Sequence, residues 1–181
     1  MPKPELWLAR LIFRWRRSRS DRGKSAANFA RGREEIRQRV RHCEDAAPGQ
    51  RVLIRRIRGL EDSSRHWSVY MTLDHLRIVN DAVTGAITAL VAGHVPPRQA
   101  STADVKPHPN VDRSLVAAFE ASCRPLEQCV AAAPDLATRV KYAHPWFGPL
   151  DAADWHFMAG FHLKLHLKQI DRILAGLPWT H

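Results

Sequence analysis

Apolar residues recur every three to four positions over most of the chain, which is the spacing that one face of an α-helix requires. No credible run of alternating apolar and polar residues occurs, so the pattern predicts no β-sheet. It predicts four long helices, over about residues 28–45, 67–92, 112–133 and 151–176, and a shorter helix over about 50–60. Four long helices with connectors are typical of an all-α helical bundle.

Capping residues and prolines predict where these elements begin and end. Ser68 is a plausible N-cap for the second long helix, and Asp151 opens the last one with Asp154 three residues on, a variant of the capping box. Gly176, ahead of a proline, closes that helix. Four prolines hold residues 94–110 out of any helix. A loop of this length is often a binding element, and we expect it to cover the mouth of a site.

Three histidines stand at core positions of two predicted helices. At about 100° per residue, His162 and His166 lie in the centre of the apolar arc of the last helix, whereas Lys164, Asp171 and Gly160 fall on the opposite side. His75 has the same place in the second helix. Each could be a core histidine satisfied by its own hydrogen bond. Three together favour a shared divalent cation, since one ion satisfies all three imidazoles.

Length and cysteine content limit the class of protein. A chain of 181 residues, 45% of them hydrophobic, suits one domain with a proper core. Cys43, Cys123 and Cys129 are too few and too irregularly spaced for a disulfide framework or a cysteine metal site, which fits a reducing cytoplasm. No stretch approaches the roughly 20 apolar residues of a membrane span. Arg10 and Arg14 interrupt the early apolar residues, so no secretory signal is predicted.

The positive charge is concentrated near the N-terminus. The formal net charge is +10, and residues 1–24 hold eight Lys or Arg against two acidic residues. A nucleic-acid-binding domain would instead line a face of the fold with basic and aromatic residues, so no specific nucleic-acid binding is expected. We therefore divide the chain into a basic amphipathic N-terminal extension, residues 1–24, and a four-helix bundle domain, residues 25–177.

The N-terminal extension has the pattern of a short amphipathic helix. One face holds apolar residues and another holds arginines; the apolar ones are Trp7, Leu8, Leu11, Ile12 and Trp15, and the arginines are Arg10, Arg14 and Arg17. This pattern is typical of a helix that lies on anionic lipid or on an acidic protein, so contact with a membrane surface through residues 5–17 is one expectation. An extra helix docked on the bundle, or a dispensable extension, explains the pattern equally well.

Two stretches of the chain match sequence motifs of a known family. They are HWSVYMTLDHL at residues 66–76 and HPWFGPLDAADWHFMAGFHLKLHLKQI at residues 144–170. They resemble the DinB/YfiT-like superfamily of metal-binding four-helix bundles and anchor an alignment over about residues 28–175. The resemblance implies one metal histidine on the second bundle helix and two on the fourth. Those positions match the three histidines that the helical wheel places in the core.

The resemblance also implies a chemistry. It implies one divalent metal, commonly zinc, nickel or iron, whose charge would lower the pKa of a bound water toward about 7. Some relatives look like enzymes that transfer low-molecular-weight thiols such as bacillithiol, mycothiol or glutathione to electrophiles. We therefore expect a metal-dependent enzyme, of thiol S-transferase or hydrolase type, acting on a small electrophilic substrate. The alternative is a non-catalytic, stress-related protein that binds metal or ligand, and a homodimer is left open.

Other polar and aromatic residues near the histidines have two interpretations each. Gln169 could orient a ligand or bond to the backbone, and Asp74 could support a ligand or meet solvent or a neighbouring arginine. His144 is expected to shape a turn and is a reserve metal ligand. Trp146 and Phe147 are interpreted mainly as packing residues, with a pocket role as the alternative.

Overall fold

The computed structural model describes residues 3–41 and 47–177, which are helical apart from turns, loops and one small hairpin. In these residues the helices are α1 Lys3–Arg17, α2 Arg22–Arg41, α3 Val69–Val91, α4 Ser114–Ala132 and α5 Ala152–Ala175, with a short 3-10 helix at Asp62–Ser64. Strands β1 Tyr142–His144 and β2 Gly148–Leu150 pair in antiparallel fashion directly before α5. None of the helices in this part of the chain is long and apolar enough to cross a membrane.

Four of the helices form the bundle that the apolar pattern predicts. Helix α5 packs against α2 on one side and against α3 on the other, and α4 packs against α3. The core comes from their apolar faces, and its largest fully buried apolar side chains are Phe29, Ile36, Leu73, Leu76, Ile87, Leu90, Phe119, Leu126, Leu163, Ile170 and Ile173. The all-α class is therefore confirmed, with α1 as a fifth helix.

The predicted ends of α3 and α5 are confirmed by their caps. The Ser68 hydroxyl accepts a hydrogen bond from the backbone N–H of Met71 at 3.1 Å. Asp151 and Asp154 form the capping box, since each carboxylate accepts from the other residue's backbone N–H. Gly176 follows the last residue of α5. These local signals fix helix ends because a helix terminus leaves backbone N–H groups that need an acceptor.

Helix α2 begins six residues earlier than predicted. The carboxylate of Asp21 accepts from the backbone N–H of Lys24 at 2.7 Å and so caps the helix at Arg22. The Arg22 guanidinium donates to the carbonyl of Ala133 at 2.9 Å, just beyond the end of α4. The predicted end near Asp45 falls in residues 42–46, outside the described residues.

The prediction of a short helix over residues 50–60 was wrong. This segment is extended, and the N–H groups of Val52 and Ile54 donate to the carbonyls of Trp67 and Arg65 at 3.2 and 3.0 Å. Its branched residues favour extended backbone, and its apolar spacing fits burial against the bundle as well as it fits a helix. The hairpin was also missed, because strands of three residues are too short to show an alternating pattern.

Close approach of α2 and α5 requires two glycines. A Cβ atom on Gly160 would lie 3.1 Å from the backbone nitrogen of Phe29, and one on Gly32 would lie 3.0 Å from the Cβ of Leu163. Both separations are shorter than ordinary contact. The face of α5 that lies away from the histidines is therefore buried at Gly160, although Lys164 further along is exposed.

Helix α1 is docked on the bundle, which is one of the alternatives left open by its pattern. Phe13 is only 3% exposed. Its ring stacks on Phe147 at 4.4 Å between centroids and meets the edges of Phe157 and Phe161. An aromatic cluster of this kind contributes burial and specific ring contacts, so it fixes the position of α1 against the hairpin turn and α5.

Polar contacts also hold α1 at both ends and in the middle. They are Glu5 accepting from the Gly59 N–H at 3.1 Å, Arg10 donating to the Trp146 carbonyl at 2.6 Å and Arg17 paired with Asp154 at 2.8 Å. Three contacts spread over the helix prevent it from rotating about its axis. The boundary between residues 24 and 25 remains a prediction, since docking does not show where a domain begins.

Candidate metal centre

The three predicted histidines converge on one point between α3 and α5. His162 and His166 stand one turn apart on α5, so both rings face the same side. The Nε2 atom of His162 lies 3.2 Å from Nε2 of His75 and 3.0 Å from Nε2 of His166. One ring nitrogen from each lies within 4.8 Å of the other two. The constellation is brought together as predicted, whereas metal binding itself stays a prediction.

The tautomer of His75 is set by the long loop after α3. Its Nδ1 atom lies 2.6 Å from the carbonyl oxygen of Val105. A carbonyl only accepts, so Nδ1–H must be the donor, and the neutral ring then keeps a lone pair on Nε2. The loop therefore orients a candidate metal ligand as well as bordering the site.

The tautomer of His166 is set by Gln169, which is fully buried. The amide nitrogen of Gln169 donates to the Ser64 carbonyl at 2.8 Å, which turns its Oε1 toward His166 Nδ1 at 2.7 Å. Nδ1–H is again the donor, and Nε2 keeps its lone pair. Both interpretations of Gln169 therefore hold at once, because it bonds to the backbone and orients a ring.

This donor set fits a divalent cation. His162 Nε2 faces two lone pairs, and a single Nε2–H could be shared between them only as a weaker, divided hydrogen bond. An ion between the rings would accept a lone pair from each. Nitrogens about 2.0–2.1 Å from a tetrahedral ion lie roughly 3.3 Å apart. The observed separations of 3.0 and 3.2 Å are close to that value.

The surroundings keep all three imidazoles neutral. Burial lowers the pKa of each, and it lowers those of His162 and His166 well below the ordinary value. The neighbouring imidazoles lower the pKa values of His162 and His166 further. For His75 the Val105 hydrogen bond and the Glu61 and Asp74 carboxylates oppose this effect without reversing it. Neutral imidazole is the form that binds metals.

A cavity of about 350 Å³ adjoins the three histidines. Its walls are mainly apolar and include Trp67, Val79, Val83, Trp155, Met158 and Phe161. A cavity of this size and character is typical of small-molecule sites. His162 is the most exposed of the three candidate ligands, which suits a residue that lines such a cavity.

Four segments outside α3 and α5 border the cavity. They are residues 58–67 of the connector before α3, residues 100–106 of the long loop, residues 144–147 of the hairpin, and α1. The long loop therefore lines the cavity, while its covering of the mouth stays a prediction. Asp74 helps to hold the loop, because its Oδ2 accepts from the backbone N–H of His108 at 2.8 Å while Oδ1 pairs with Arg77. Of the interpretations of Asp74, pairing with a neighbouring arginine is confirmed.

Sequence reasoning missed Glu61 as a candidate functional residue. Its side chain lines the cavity, and its charge acts on His75. The hydroxyl of Ser63 donates to its Oε2 at 3.3 Å. Glu61 lies in the connector before α3, where neither spacing nor helical periodicity marks a site. The only available signal was that a carboxylate stands shortly before a helix that carries a candidate ligand.

His144 lies outside the group of three candidate ligands. Its Nδ1 accepts from the backbone N–H groups of Trp146 and Phe147 at 3.1 and 3.3 Å, so it shapes the hairpin turn as predicted. Burial lowers its pKa to about 4. The neutral ring must then carry its proton on Nε2. His144, Trp146 and Phe147 all line the cavity, so the pocket alternative for the two aromatic residues is also confirmed.

The described cysteines are not part of this site. Burial raises the pKa of Cys123 to about 12 and also raises that of Cys129. Both are free thiols, and neither borders the cavity. Cys43 lies outside the described residues. A thiol nucleophile, if the site uses one, would therefore come from a small molecule rather than from Cys123 or Cys129.

Comparisons with known proteins agree with this architecture. The chain is similar over 83% of its length to the crystal structure of TT2238, a four-helix bundle protein, with a TM-score of 0.60, 18% identity and 98% of that chain covered. At this identity the likeness concerns the fold alone. No curated protein matches the sequence. The family model of the DinB superfamily matches residues 14–170, which include the last turn of α1, the whole of α2, α3 and α4, and α5 as far as Ile170. The chain therefore belongs to the DinB superfamily.

Proposed function

We propose that this protein is a metal-dependent enzyme of thiol S-transferase or hydrolase type that acts on a small, largely apolar electrophile. One divalent ion, zinc, nickel or iron, would be held by His75, His162 and His166, since imidazole suits all three metals. The observation that carries the proposal is the convergence of three Nε2 atoms beside a mainly apolar cavity of about 350 Å³.

The chain's own residues hold the site in a fixed geometry. When bound, the ion would supply Lewis acidity, which lowers the pKa of a water or thiol at the site. The Val105 carbonyl and the Gln169 amide orient two of the three rings. Supporting hydrogen bonds of this kind are the usual means of fixing the tautomer of a ligating histidine.

Glu61 is the carboxylate best placed for proton transfer. It lines the same cavity as His75 and acts on that ring electrostatically. A carboxylate there can accept the proton that a water or thiol loses on becoming a nucleophile. This role requires no change of fold, because Glu61 is already at the cavity wall.

His144 is the candidate hydrogen-bond donor to the substrate. Its Nδ1 is occupied by two backbone N–H groups, so its only remaining hydrogen-bonding atom is Nε2–H. A donor already held at the cavity wall can stabilise negative charge that develops on a substrate oxygen. The proposed role of His144 is therefore to donate to the substrate, without binding the metal.

The lining of the cavity suggests which molecules it accepts. Its apolar walls suit the carbon skeleton of an electrophile, and Arg58 and Lys106 add two cations. Cations at a cavity wall would suit the carboxylates of a thiol such as glutathione. A cytoplasmic location, expected from the cysteine content, would provide such thiols.

Metal-dependent turnover tests the proposal. Tag-free protein is stripped of metal, reloaded with zinc, nickel or iron, and assayed with bacillithiol, mycothiol or glutathione plus monobromobimane, and separately with nitrophenyl acetate. We expect turnover only after reloading, and a loss of at least about 100-fold in His162→Ala. His156→Ala is the matched control, because His156 is a buried histidine of α5 outside the cluster. Turnover that is equal with and without metal, or equal in His162→Ala, would contradict the proposal.

A non-catalytic, stress-related binding protein of the same fold is the second candidate. The mainly apolar cavity favours it, because such walls can hold a ligand without reacting groups on every side. In that case a ligand would raise the midpoint of thermal unfolding and be recovered unchanged. If the ligand were consumed instead, the protein would be an enzyme.

A further inference from the structure

Helix α1 presents a row of large apolar side chains to the solvent. Among the described residues, five of the seven exposed large hydrophobic side chains belong to it. They form what we call the outer face of α1, which is Trp7, Leu8, Leu11, Ile12 and Trp15. Trp7 is 65% exposed and Trp15 is 57% exposed. Single exposed apolar residues are ordinary, but a contiguous patch with two tryptophans marks an interaction surface.

The outer face cannot turn into the bundle. Phe13, on the inner side of the helix, is held between the rings of Phe147 and Phe157. Glu5 and Arg17 fix the two ends through Gly59 and Asp154. The apolar residues therefore stay exposed because the other side of α1 is already packed.

The charge around the outer face is positive. Helix α1 contains one acidic residue, Glu5, and that carboxylate is engaged by Arg56 and the Gly59 N–H. Arg14 and Arg16 are exposed. The guanidinium of Arg19 lies over the Trp15 ring, 4.3 Å from its centroid. Tryptophan beside arginine on an amphipathic helix is the composition that lies at the interface of an anionic membrane.

We propose that the outer face of α1 binds an anionic lipid surface, with the helix lying in the plane of the interface. A lipid surface accepts both parts of the pattern, since indoles enter the headgroup region while guanidinium groups pair with lipid phosphates. A second copy of the chain is less suitable, because it would bring the arginines of two α1 helices together. Helix α1 is too short and too charged to cross the bilayer, so it would lie on it.

The same helix forms part of the cavity mouth. Leu8 and Ile12 belong to the outer face and also line the cavity, together with Ala9 and Glu5. A membrane bound to α1 would therefore adjoin the mouth, and an apolar molecule could pass from lipid to cavity with little exposure to water. This step rests on the proposed function, and it narrows the substrate class to electrophiles that partition into bilayers.

Sedimentation with lipid vesicles tests the surface. The full chain is mixed with vesicles of phosphatidylcholine containing about 30% phosphatidylglycerol, and separately with phosphatidylcholine alone. We expect binding to the anionic vesicles that weakens as salt is raised. The variant Trp7→Asp, Leu11→Asp, Trp15→Asp should lose at least about tenfold in partitioning. None of these three residues lines the cavity.

Leu53→Asp is the matched control, because Leu53 is 69% exposed but lies outside α1. We expect it to bind vesicles like the unaltered chain. Equal sedimentation of the triple variant, or binding to neither kind of vesicle, would overturn the proposal. The face would instead bind a second copy of the chain under three conditions. The unaltered chain would be dimeric by light scattering, the triple variant would be monomeric, and the unaltered chain would not bind vesicles.

The test is independent of the proposed chemistry. His162→Ala should sediment with anionic vesicles like the unaltered chain, because it leaves α1 intact. The triple variant of α1 should retain turnover of water-soluble electrophiles and lose its preference for electrophiles dissolved in vesicles. If the unaltered chain bound anionic vesicles but showed no turnover after reloading with metal, the proposed function would be contradicted and the lipid surface would stand.

Discussion

Helix α5 carries buried histidines in two different environments. His156 is 2% exposed and His166, ten residues later, is 3% exposed. Burial lowers the pKa of both, to about 4 for His156 and well below the ordinary value for His166. By burial and by preferred charge state the two are alike. Of the two, His166 belongs to the cluster of imidazoles that could hold a metal.

The neighbours explain the difference. The cations of Arg22 and Arg17 lower the pKa of His156 further, so a divalent ion beside it would be repelled. The histidine cluster instead has carbonyl and amide acceptors behind its rings, and the carboxylates of Glu61 and Asp74 act on His75. A buried neutral histidine is therefore not evidence of a metal site. Convergence with other rings and the sign of the surrounding charge are the informative features.

The largest predicted difference between these two environments is the loss of metal affinity when Gln169 is replaced. In Gln169→Leu the His166 Nδ1–H and the Ser64 carbonyl lose their buried partner. Metal affinity should fall by about 10–100-fold, because His166 is no longer held in one tautomer. The free energy of unfolding should fall by about 1–3 kcal/mol. Competition with a chelating dye measures the affinity, and urea unfolding measures the stability.

Asn80→Leu is the matched control for Gln169→Leu. Asn80 is also buried and polar, and its amide donates to the Ser122 hydroxyl at 3.0 Å, away from the histidines. It should lose similar stability and keep full metal affinity. Equal affinity losses in the two variants would mean that general destabilisation, rather than ring orientation, controls the site.

A smaller effect concerns acid stability without metal. The pKa values of His75, His162, His166 and His156 are lowered by folding, so below about pH 6.5 the unfolded chain binds protons that the folded chain does not. Stability is then fully present above that pH and falls as the pH drops. The slope should be about 1.4 kcal/mol per pH unit for each histidine involved. Urea unfolding between pH 7 and pH 5 measures it.

Zinc should separate the two environments in the same experiment. The ion occupies the lone pairs of the cluster, so it should raise the free energy of unfolding throughout this pH range in the unaltered protein and in His156→Ala. Replacing His156 should reduce the acid slope equally with and without zinc. If zinc left the free energy of unfolding unchanged at every pH, the cluster would be no different from His156.

The sequence predicted the site as far as local geometry allows. His162 and His166 are four residues apart on one helix, and this alone places their rings together. The approach of His75 to these two rings depends on how α3 packs on α5. The helical wheel shows only that each helix has a buried face, and the DinB resemblance supplied the pairing of the two helices. Glu61 and Val105 reach the site through loops, and the periodic pattern of apolar residues does not predict the path of a loop.

The errors in the predicted fold have the same origin. Local signals at Ser68 and Asp151 gave correct helix ends because caps act within a few residues. The segment over residues 50–60 has an apolar pattern that suits helix or extended chain, and its pairing with Trp67 decides the outcome. The docking of α1 was left open for a similar reason, since Phe13 finds its partners in the hairpin turn and on α5.

The central claim is that three histidines hold one metal, and elemental analysis tests it most directly. The tag-free chain, His156→Ala, and the triple variant His75→Ala, His162→Ala, His166→Ala are purified alike, with circular dichroism to check that each keeps its helices. About one metal ion per chain is expected in the first two and almost none in the triple variant. If the chain held no metal after reconstitution with zinc, nickel and iron, or if the triple variant held as much as the unaltered chain, the account would be contradicted.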